Sequence, residues 1–234
     1  MSKRATLLLV VACLAAGLGL WASQRFHAPA APTPPPVKAV TLMPTPRTLP
    51  AFSLQQSDGT ALTTQDLAGH WTVVFIGFTH CPDICPTTLA QLASAQKQWE
   101  SIPTASRPRV LFISADPERD SPKATGEYAH AFHKDTLAAT APLPALEDFA
   151  RSLSLVFMKA PGPSGEQDDY SIDHSAALIL LDPQVRMAGV VQPPFDIKAI
   201  AEDLEMLTKS APLPLSRSPR LRAPLPSQGR EQTP

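Results

Sequence analysis

The sequence has too few cysteines for a protein held together by disulfide bonds. Its 234 residues include only three. Cys13 lies in an apolar run near the N-terminus, so only Cys81 and Cys85 remain for the soluble part of the chain. Small disulfide-stapled domains typically carry about four to eight cysteines. A disulfide scaffold is therefore excluded, and two cysteines so close together indicate a pair with a redox or metal-binding role.

The chain also lacks an excess of either charge. Lysine and arginine number 20 and aspartate and glutamate 21, which leaves a formal net charge of −1. Proteins that bind nucleic acids usually present a strongly basic surface. We therefore expect no nucleic-acid partner. The sequence has no internal repeat either, and we expect one globular domain of about 160 residues.

The N-terminus carries a long run without charge. Residues 5–22 follow Lys3 and Arg4, and these 18 residues can cross most of a bilayer core. Because positive charge stays on the cytoplasmic side, we predict that residues 1–27 are a cytoplasmic stub and a single-pass anchor in the inner (cytoplasmic) membrane. The following domain then lies on the periplasmic side. Two alternatives remain open, a cleaved signal peptide and a lipoprotein with its lipid on Cys13.

Proline separates the predicted domain from both ends of the chain. The sequence contains 27 prolines, many of them in residues 28–50 and 211–234. Such segments favour extended linkers or tails over packed structure. We predict a proline-rich linker over residues 28–50, a folded domain over residues 51–209 and a disordered tail rich in proline and arginine over residues 210–234.

Two apolar, β-branched runs predict strands that are buried on both faces, residues 71–78 and 109–115. Each precedes a segment with helical spacing, residues 87–99 and 121–132. Further predicted elements are a hairpin over 52–62, a helix over 146–153, a strand over 155–159, a hairpin of strands 171–181 and 185–192, and a last helix capped by Asp196. This order predicts an α/β, thioredoxin-like three-layer sandwich with an N-terminal hairpin and an inserted hairpin, preceded by the transmembrane helix.

The two cysteines lie between the first apolar strand and the helix that follows, in the sequence Cys81-Pro-Asp-Ile-Cys85-Pro. At a helix start, positions i and i+4 share one face, so both sulfurs can meet one ion or each other. The helix N-terminus also favours thiolate over thiol. The pair therefore suits either a soft metal ion or thiol-disulfide chemistry.

A third candidate ligand is His174, at the start of the last predicted hairpin. Two thiolates and one imidazole select Cu(I) and can also hold Cu(II), whereas a structural zinc site requires a fourth protein ligand. Asp173 is a candidate to orient the imidazole ring. We interpret His80 as a structural or tuning residue, and Asp116 and Asp120 as caps of the following helix.

Three blocks of sequence resemble the Sco/SenC family of copper-binding proteins. They are Phe78-Thr-His-Cys-Pro-Asp-Ile-Cys-Pro86, Phe112-Ile-Ser-Ala-Asp-Pro-Glu-Arg-Asp120 and Tyr170-Ser-Ile-Asp-His-Ser175. The resemblance runs from about residue 52 to residue 209. It implies that copper, as Cu(I) or Cu(II), binds to Cys81, Cys85 and His174. One departure is Ala115 in place of the usual valine, at a core position, and the tail after Lys209 is an addition without a counterpart in the family.

The resemblance also implies a function. The expected protein is a membrane-anchored copper chaperone, not an enzyme, that delivers copper to the copper-binding subunit of cytochrome c oxidase during assembly. The alternative is a thiol-disulfide oxidoreductase that cycles Cys81 and Cys85 to keep partner cysteines reduced. Other copper carriers and thioredoxin-like reductases are further expected partners.

Overall fold

The computed structural model describes residues 3–26, 35–162, 164, 166 and 169–210. The described residues fall into two units, one within residues 3–26 and the other within residues 35–210. The first contains helix α1 (Lys3–Phe26), whose segment Arg4–Trp21 has a mean hydropathy of 1.9. This helix is long and apolar enough to span a membrane, and a signal sequence would have the same properties.

The second unit is built on an eight-stranded sheet and a separate two-stranded hairpin. Its strands are β1 (Thr41–Thr48), β2 (Ser53–Gln56), β3 (Ala61–Thr63), β4 (Thr72–Gly77), β5 (Arg109–Ser114), β6 (Leu137–Thr140), β7 (Phe157–Pro161), β8 (Tyr170–His174), β9 (Leu178–Leu181) and β10 (Arg186–Val191). The large sheet has the order β1-β10-β9-β4-β5-β6-β2-β3, and β7 pairs with β8. Strands β4, β5 and β6 are parallel, and all other neighbours are antiparallel.

The helices of this unit are α2 (Thr64–Leu67), α3 (Ile84–Gln98), α4 (Pro122–His130), α5 (Leu143–Ser152) and α6 (Ile197–Lys209). Helix α3 packs against α6, and α4 packs against β6, β2 and β5. The indole of Trp99, just after α3, donates to the carbonyl of Ala201 in α6 at 3.1 Å. All six residues of β4 are buried, so the sheet is covered on both faces. The predicted three-layer α/β architecture is confirmed.

The prediction of an unstructured linker is wrong for residues 41–48. These residues form the edge strand β1, which pairs with β10 across a shift in register between Leu42 and Arg47. Pro44 and Pro46 lie within this shift, and prolines are tolerated on an edge strand because one side of it needs no amide donors. Folded structure therefore begins before residue 51. Residues 28–34 of the predicted linker and residues 211–234 of the predicted tail lie outside the described residues.

The predicted strand over residues 171–181 is also wrong in one respect. It is two strands in two different sheets, because β8 pairs with β7 whereas β9 pairs with β4 and β10. The chain changes sheets at residues 175–177. His174 is the last residue of β8, at the point where the chain turns back toward the large sheet.

Candidate metal centre

The two cysteines lie where strand β4 passes into helix α3. Cys81 is in the connecting loop and is partly exposed, whereas Cys85 is buried in the first turn of α3. The helix begins at Ile84, slightly earlier than the sequence predicts. The backbone N–H of Cys85 donates to Cys81 Sγ at 3.4 Å, and both thiols are free. The first helical turn therefore brings the two cysteines together, as their spacing predicts.

His174 meets this pair from β8. Its Nε2 lies 3.6 Å from Cys85 Sγ, although the two residues are 89 positions apart. Its Nδ1 lies 3.1 Å from the carbonyl oxygen of Ser175. A carbonyl only accepts, so Nδ1 carries the proton and the lone pair of Nε2 is free to face the sulfur. The predicted orienting role of Asp173 is wrong, because the carbonyl of Ser175 performs it and Asp173 is exposed.

Burial sets the protonation of both groups. It raises the pKa of the Cys85 thiol well above its ordinary value, and a backbone hydrogen bond at Phe78 opposes this only in part. Burial also lowers the pKa of the His174 imidazole. The prediction of a thiolate favoured by the helix N-terminus is therefore wrong for Cys85 in the metal-free protein. A bound cation would stabilise the buried thiolate and release its proton.

The distance between sulfur and nitrogen fits a shared metal ion. Metal bonds of about 2.3 Å to sulfur and about 2.0 Å to nitrogen, at tetrahedral or trigonal angles, place the two donor atoms about 3.5 to 3.7 Å apart. The observed separation of 3.6 Å lies in this range. Two sulfurs with one imidazole nitrogen form a soft donor set of low coordination number, which suits copper.

The centre opens onto a surface depression of about 710 Å³. Cys81 and His174 line it, together with apolar residues from three segments of the chain: Phe78, Ile84, Pro193, Pro194 and Phe195. Ile84 is 53% exposed although it is a large apolar residue. Cys81 and His174 are thus reachable from outside through a largely apolar opening, whereas the buried Cys85 does not line it.

The loop from Asp116 to Asp120 follows β5 and differs from its predicted role. Helix α4 is capped by Ser121, whose Oγ accepts from the N–H of Ala124 at 3.1 Å. Asp120 is fully buried and binds Thr79 instead, accepting from its N–H at 2.8 Å and from its hydroxyl at 2.5 Å. The predicted capping by Asp120 is wrong, because the carboxylate turns inward toward the cysteine loop.

His80, Asp116 and Asp120 place ligand atoms within 4.8 Å of one another. Both carboxylates already have partners. Asp120 also accepts from Ser114 Oγ at 2.5 Å, and Asp116 binds the Nε of Arg119 and the hydroxyl of Tyr170. We interpret the group as a hydrogen-bond network, because the guanidinium of Arg119 already supplies the positive charge that a cation would bring.

The contacts of Tyr170 and Arg119 were not predicted from the sequence. Tyr170 OH donates to Asp116 Oδ1 at 2.9 Å, and Arg119 Nη1 donates to the carbonyl of Tyr170 at 3.0 Å. The four charged residues that follow the buried strand β5 were the available signal. Their pairing with a residue 51 positions downstream depends on how β8 lies against the sheet.

The fold and the centre define a class of protein, a thioredoxin-like domain with two cysteines four residues apart and a distant histidine. A family model described as SCO1/SenC matches residues 41–209. The chain belongs to the SCO1/SenC family.

Curated relatives agree with this assignment. "Protein SCO1 homolog 1, mitochondrial" of Arabidopsis thaliana is 36% identical over 152 residues, which cover 64% of this chain and 44% of that protein. "Protein SCO2 homolog, mitochondrial" of Bos taurus is 38% identical over 132 residues, 56% of this chain and 49% of that protein. The chain thus spans less than half the length of these mitochondrial relatives. A "Putative copper-binding protein" of Stutzerimonas stutzeri is 30% identical over 170 residues, 72% of this chain and 80% of that protein.

Solved structures share the fold. ScoI of Arabidopsis thaliana with copper bound has a TM-score of 0.62 and 31% identity, over 69% of this chain and 99% of that one. ScoI of Bradyrhizobium japonicum with copper bound has a TM-score of 0.60 and 29% identity, over 67% of this chain and 97% of that one. Two related chains have therefore been solved with copper.

Proposed function

We propose that the chain is a copper metallochaperone that delivers copper to the copper centre of cytochrome c oxidase during assembly. The carrying observation is the 3.6 Å approach of His174 Nε2 to Cys85 Sγ. Membership of the SCO1/SenC family and the copper in two related structures support the choice of metal. BsSco, a structural relative, is described as a member of the Sco family of cytochrome c oxidase assembly proteins, which supports a role in the assembly of that oxidase.

In this proposal Cys81 and Cys85 bind copper as thiolates and His174 binds it through Nε2. Cys85 comes from helix α3 and His174 from strand β8, so together they would hold the ion between two elements. Cys81 is partly exposed and lies in the open depression, so a sulfur or nitrogen ligand of the recipient can replace it first. Copper then passes by ligand exchange, one donor at a time, without release into water.

We also propose that helix α1 anchors the chain in the inner (cytoplasmic) membrane. Lys3 and Arg4 would hold the N-terminus in the cytoplasm and place the domain on the periplasmic side. The apolar segment Arg4–Trp21 supports this arrangement. A protease added to intact spheroplasts would digest the domain if it faces the periplasm, and would leave it intact if it faces the cytoplasm.

A second function is thiol-disulfide exchange, which two free thiols four residues apart favour. Oxidation of Cys81 and Cys85 to a disulfide would reduce a partner disulfide to two thiols, with two electrons and two protons transferred. The function would serve copper delivery, because a thiol-containing recipient must be reduced before it binds copper.

One variant separates the two functions. The chain is loaded with Cu(I), mixed with the soluble copper-binding domain of the oxidase subunit, and copper in each protein is measured after separation. The chaperone function predicts transfer by the wild type and none by His174→Ala, which should retain disulfide reduction. Transfer by His174→Ala as complete as by the wild type would contradict the chaperone function. If Cys81→Ser then loses disulfide reduction while His174→Ala keeps it, the redox function is the one supported.

A further inference from the structure

We propose that the loop Asp116–Asp120 is a clamp that sets the distance between the cysteine pair and His174, with Tyr170 and Arg119 as positioning residues. The inference rests on the proposed function, because it concerns how this chain presents its copper ligands. It assigns a role to residues around the centre that bind no copper themselves.

The need for a clamp follows from the topology. His174 ends β8, and β8 pairs only with β7 among the described strands. Among the described strands, the backbone of β8 therefore forms no β-ladder with β4, the strand that leads to the cysteine loop. Other contacts must hold the imidazole 3.6 Å from the sulfur.

The first half of the clamp binds Tyr170, four residues before His174. Its hydroxyl donates to the buried Asp116 at 2.9 Å, and its carbonyl accepts from Arg119 at 3.0 Å. The guanidinium carbon of Arg119 lies 3.6 Å from the centre of the Tyr170 ring. The loop Asp116–Asp120 thus binds Tyr170 at its hydroxyl, at its ring face and at its backbone carbonyl. These contacts fix both the position and the rotation of β8.

The second half binds the cysteine loop. Asp120 accepts from the N–H and the hydroxyl of Thr79, two residues before Cys81, and from the hydroxyl of Ser114 at the end of β5. The Ser114 bond is buried, the two Thr79 bonds are partly buried, and all three are charge-assisted. The same five-residue loop therefore holds the chain just before Cys81 and the chain just before His174.

A third contact of the loop is weaker. Lys159 of β7 lies 2.5 Å from Glu118, and both side chains are about half exposed. An exposed ion pair contributes little because water screens it. Asp116, Arg119 and Asp120 are therefore the residues through which the clamp acts.

The test removes a single hydroxyl. Tyr170→Phe keeps the ring under Arg119 but removes the hydrogen bond to Asp116. Tyr128→Phe is the matched control, because the Tyr128 hydroxyl is buried but has no hydrogen-bond partner among the described residues. Cu(I) affinity is measured by competition with a chromophoric chelator, for each variant alone and combined with His174→Ala.

The clamp predicts that Tyr170→Phe weakens Cu(I) binding by about tenfold, as expected for loss of one hydrogen bond to a charged group. In the His174→Ala background the same change should have no further effect, since there is no ring left to position. Tyr128→Phe should bind as the wild type does. An equal loss in both backgrounds, or no loss in either, would overturn the inference.

A second readout uses the metal-free protein. Amide hydrogen exchange in β8 should be faster in Tyr170→Phe and in Arg119→Gln than in the wild type, and unchanged in Tyr128→Phe. Failure of the proposed function is distinguishable, because the wild type would then bind no copper or bind it without His174. If the proposed function fails in this way, hydrogen exchange still tests the clamp. Unchanged exchange rates in β8 of both Tyr170→Phe and Arg119→Gln would overturn the inference.

Discussion

Cys85 is buried because the residue beneath it has no side chain. A Cβ added at Gly77, the last residue of β4, would lie 2.7 Å from Cys85 Sγ and 3.1 Å from the ring of Phe112. Both distances are shorter than ordinary van der Waals contact. The sulfur thus occupies the space above the strand end that any other residue at position 77 would fill.

Gly77→Ala should therefore displace Cys85 and weaken copper binding. Overpacking of this kind typically lowers the free energy of unfolding by about 1–3 kcal/mol. Here the crowded atom belongs to the candidate ligand Cys85. Copper affinity measured by chelator competition should decrease by at least about tenfold.

The control for that substitution is Gly189→Ala, on β10. Its added Cβ would be crowded to 3.0 Å by the carbonyl oxygen of Thr41 and by Val40. It should lower stability without affecting copper. Equal copper affinities of Gly77→Ala and the wild type would contradict the account of this site.

Burial also predicts how Cys85 reacts in the metal-free protein. Because its pKa is raised, it is almost entirely thiol at neutral pH, and only the thiolate is alkylated. The alkylation rate by iodoacetamide, followed by peptide mass spectrometry of Cys81→Ser, should be low at pH 7 and rise about tenfold per pH unit up to pH 9.

The unfolded chain in urea provides the comparison for this rate. There the Cys85 thiol has its ordinary pKa of about 8.5, and the rate should level off near that pH. A plateau at or below about pH 9 in the folded protein, as in the unfolded chain, would show that burial does not raise the pKa of the Cys85 thiol.

At the scale of elements, the predictable parts were those with long regular patterns. Strands β4 and β5 and helices α3 and α6 were predicted because apolar runs or helical spacing extend over six or more residues. β6 was not predicted, because a strand of four residues is too short to show an alternating pattern of apolar and polar residues. β1 was missed because its two prolines favour a linker, and only the partner strand β10 makes it a strand.

The candidate site, like the fold, was predictable only where a local pattern marked it. The spacing of Cys81 and Cys85 placed them in one helical turn without knowledge of the fold. That His174 meets them depends on a contact over 89 positions, which a known family pattern supplied. The clamp and the carbonyl of Ser175 had no pattern of their own, since they arise only when β8 leaves the large sheet.

The segment before β1 is held by one carboxylate of α6. The buried Asp203 accepts from the backbone N–H groups of Lys38, Ala39 and Val40 at 2.7 to 3.0 Å. Asp203→Asn would replace one carboxylate oxygen, an acceptor, with an amide group that donates. That donor would face the N–H donors of Lys38, Ala39 and Val40. Chemical denaturation should show a loss of about 1.5–3 kcal/mol in the free energy of unfolding, with copper affinity unchanged.

The neighbouring residue offers a control for this prediction. Glu202 pairs with Lys38 at 2.8 Å on the exposed surface, where ion pairs contribute about 0–1 kcal/mol. Glu202→Gln should leave stability nearly as it is. Similar small effects of both substitutions would mean that residues 38–40 do not stabilise the domain.

At the scale of the whole molecule, the chain combines a candidate membrane helix with a domain that brings three candidate donors from distant positions together, two of them at one surface opening. Parallel strands β4 and β5 bring the cysteine loop and the loop Asp116–Asp120 to the same edge of the sheet. The return of β8 toward that edge adds the imidazole. The arrangement requires the complete domain, because no single segment carries all three donors.

X-ray absorption at the copper edge tests this account most directly. The full-length chain, reduced and loaded with Cu(I), is predicted to hold one copper with two sulfur neighbours and one nitrogen neighbour. His174→Ala should lose the nitrogen, and Cys85→Ala should lose one sulfur. A wild-type spectrum without sulfur neighbours, or one that neither substitution changes, would contradict the assignment of Cys81, Cys85 and His174 as the copper ligands.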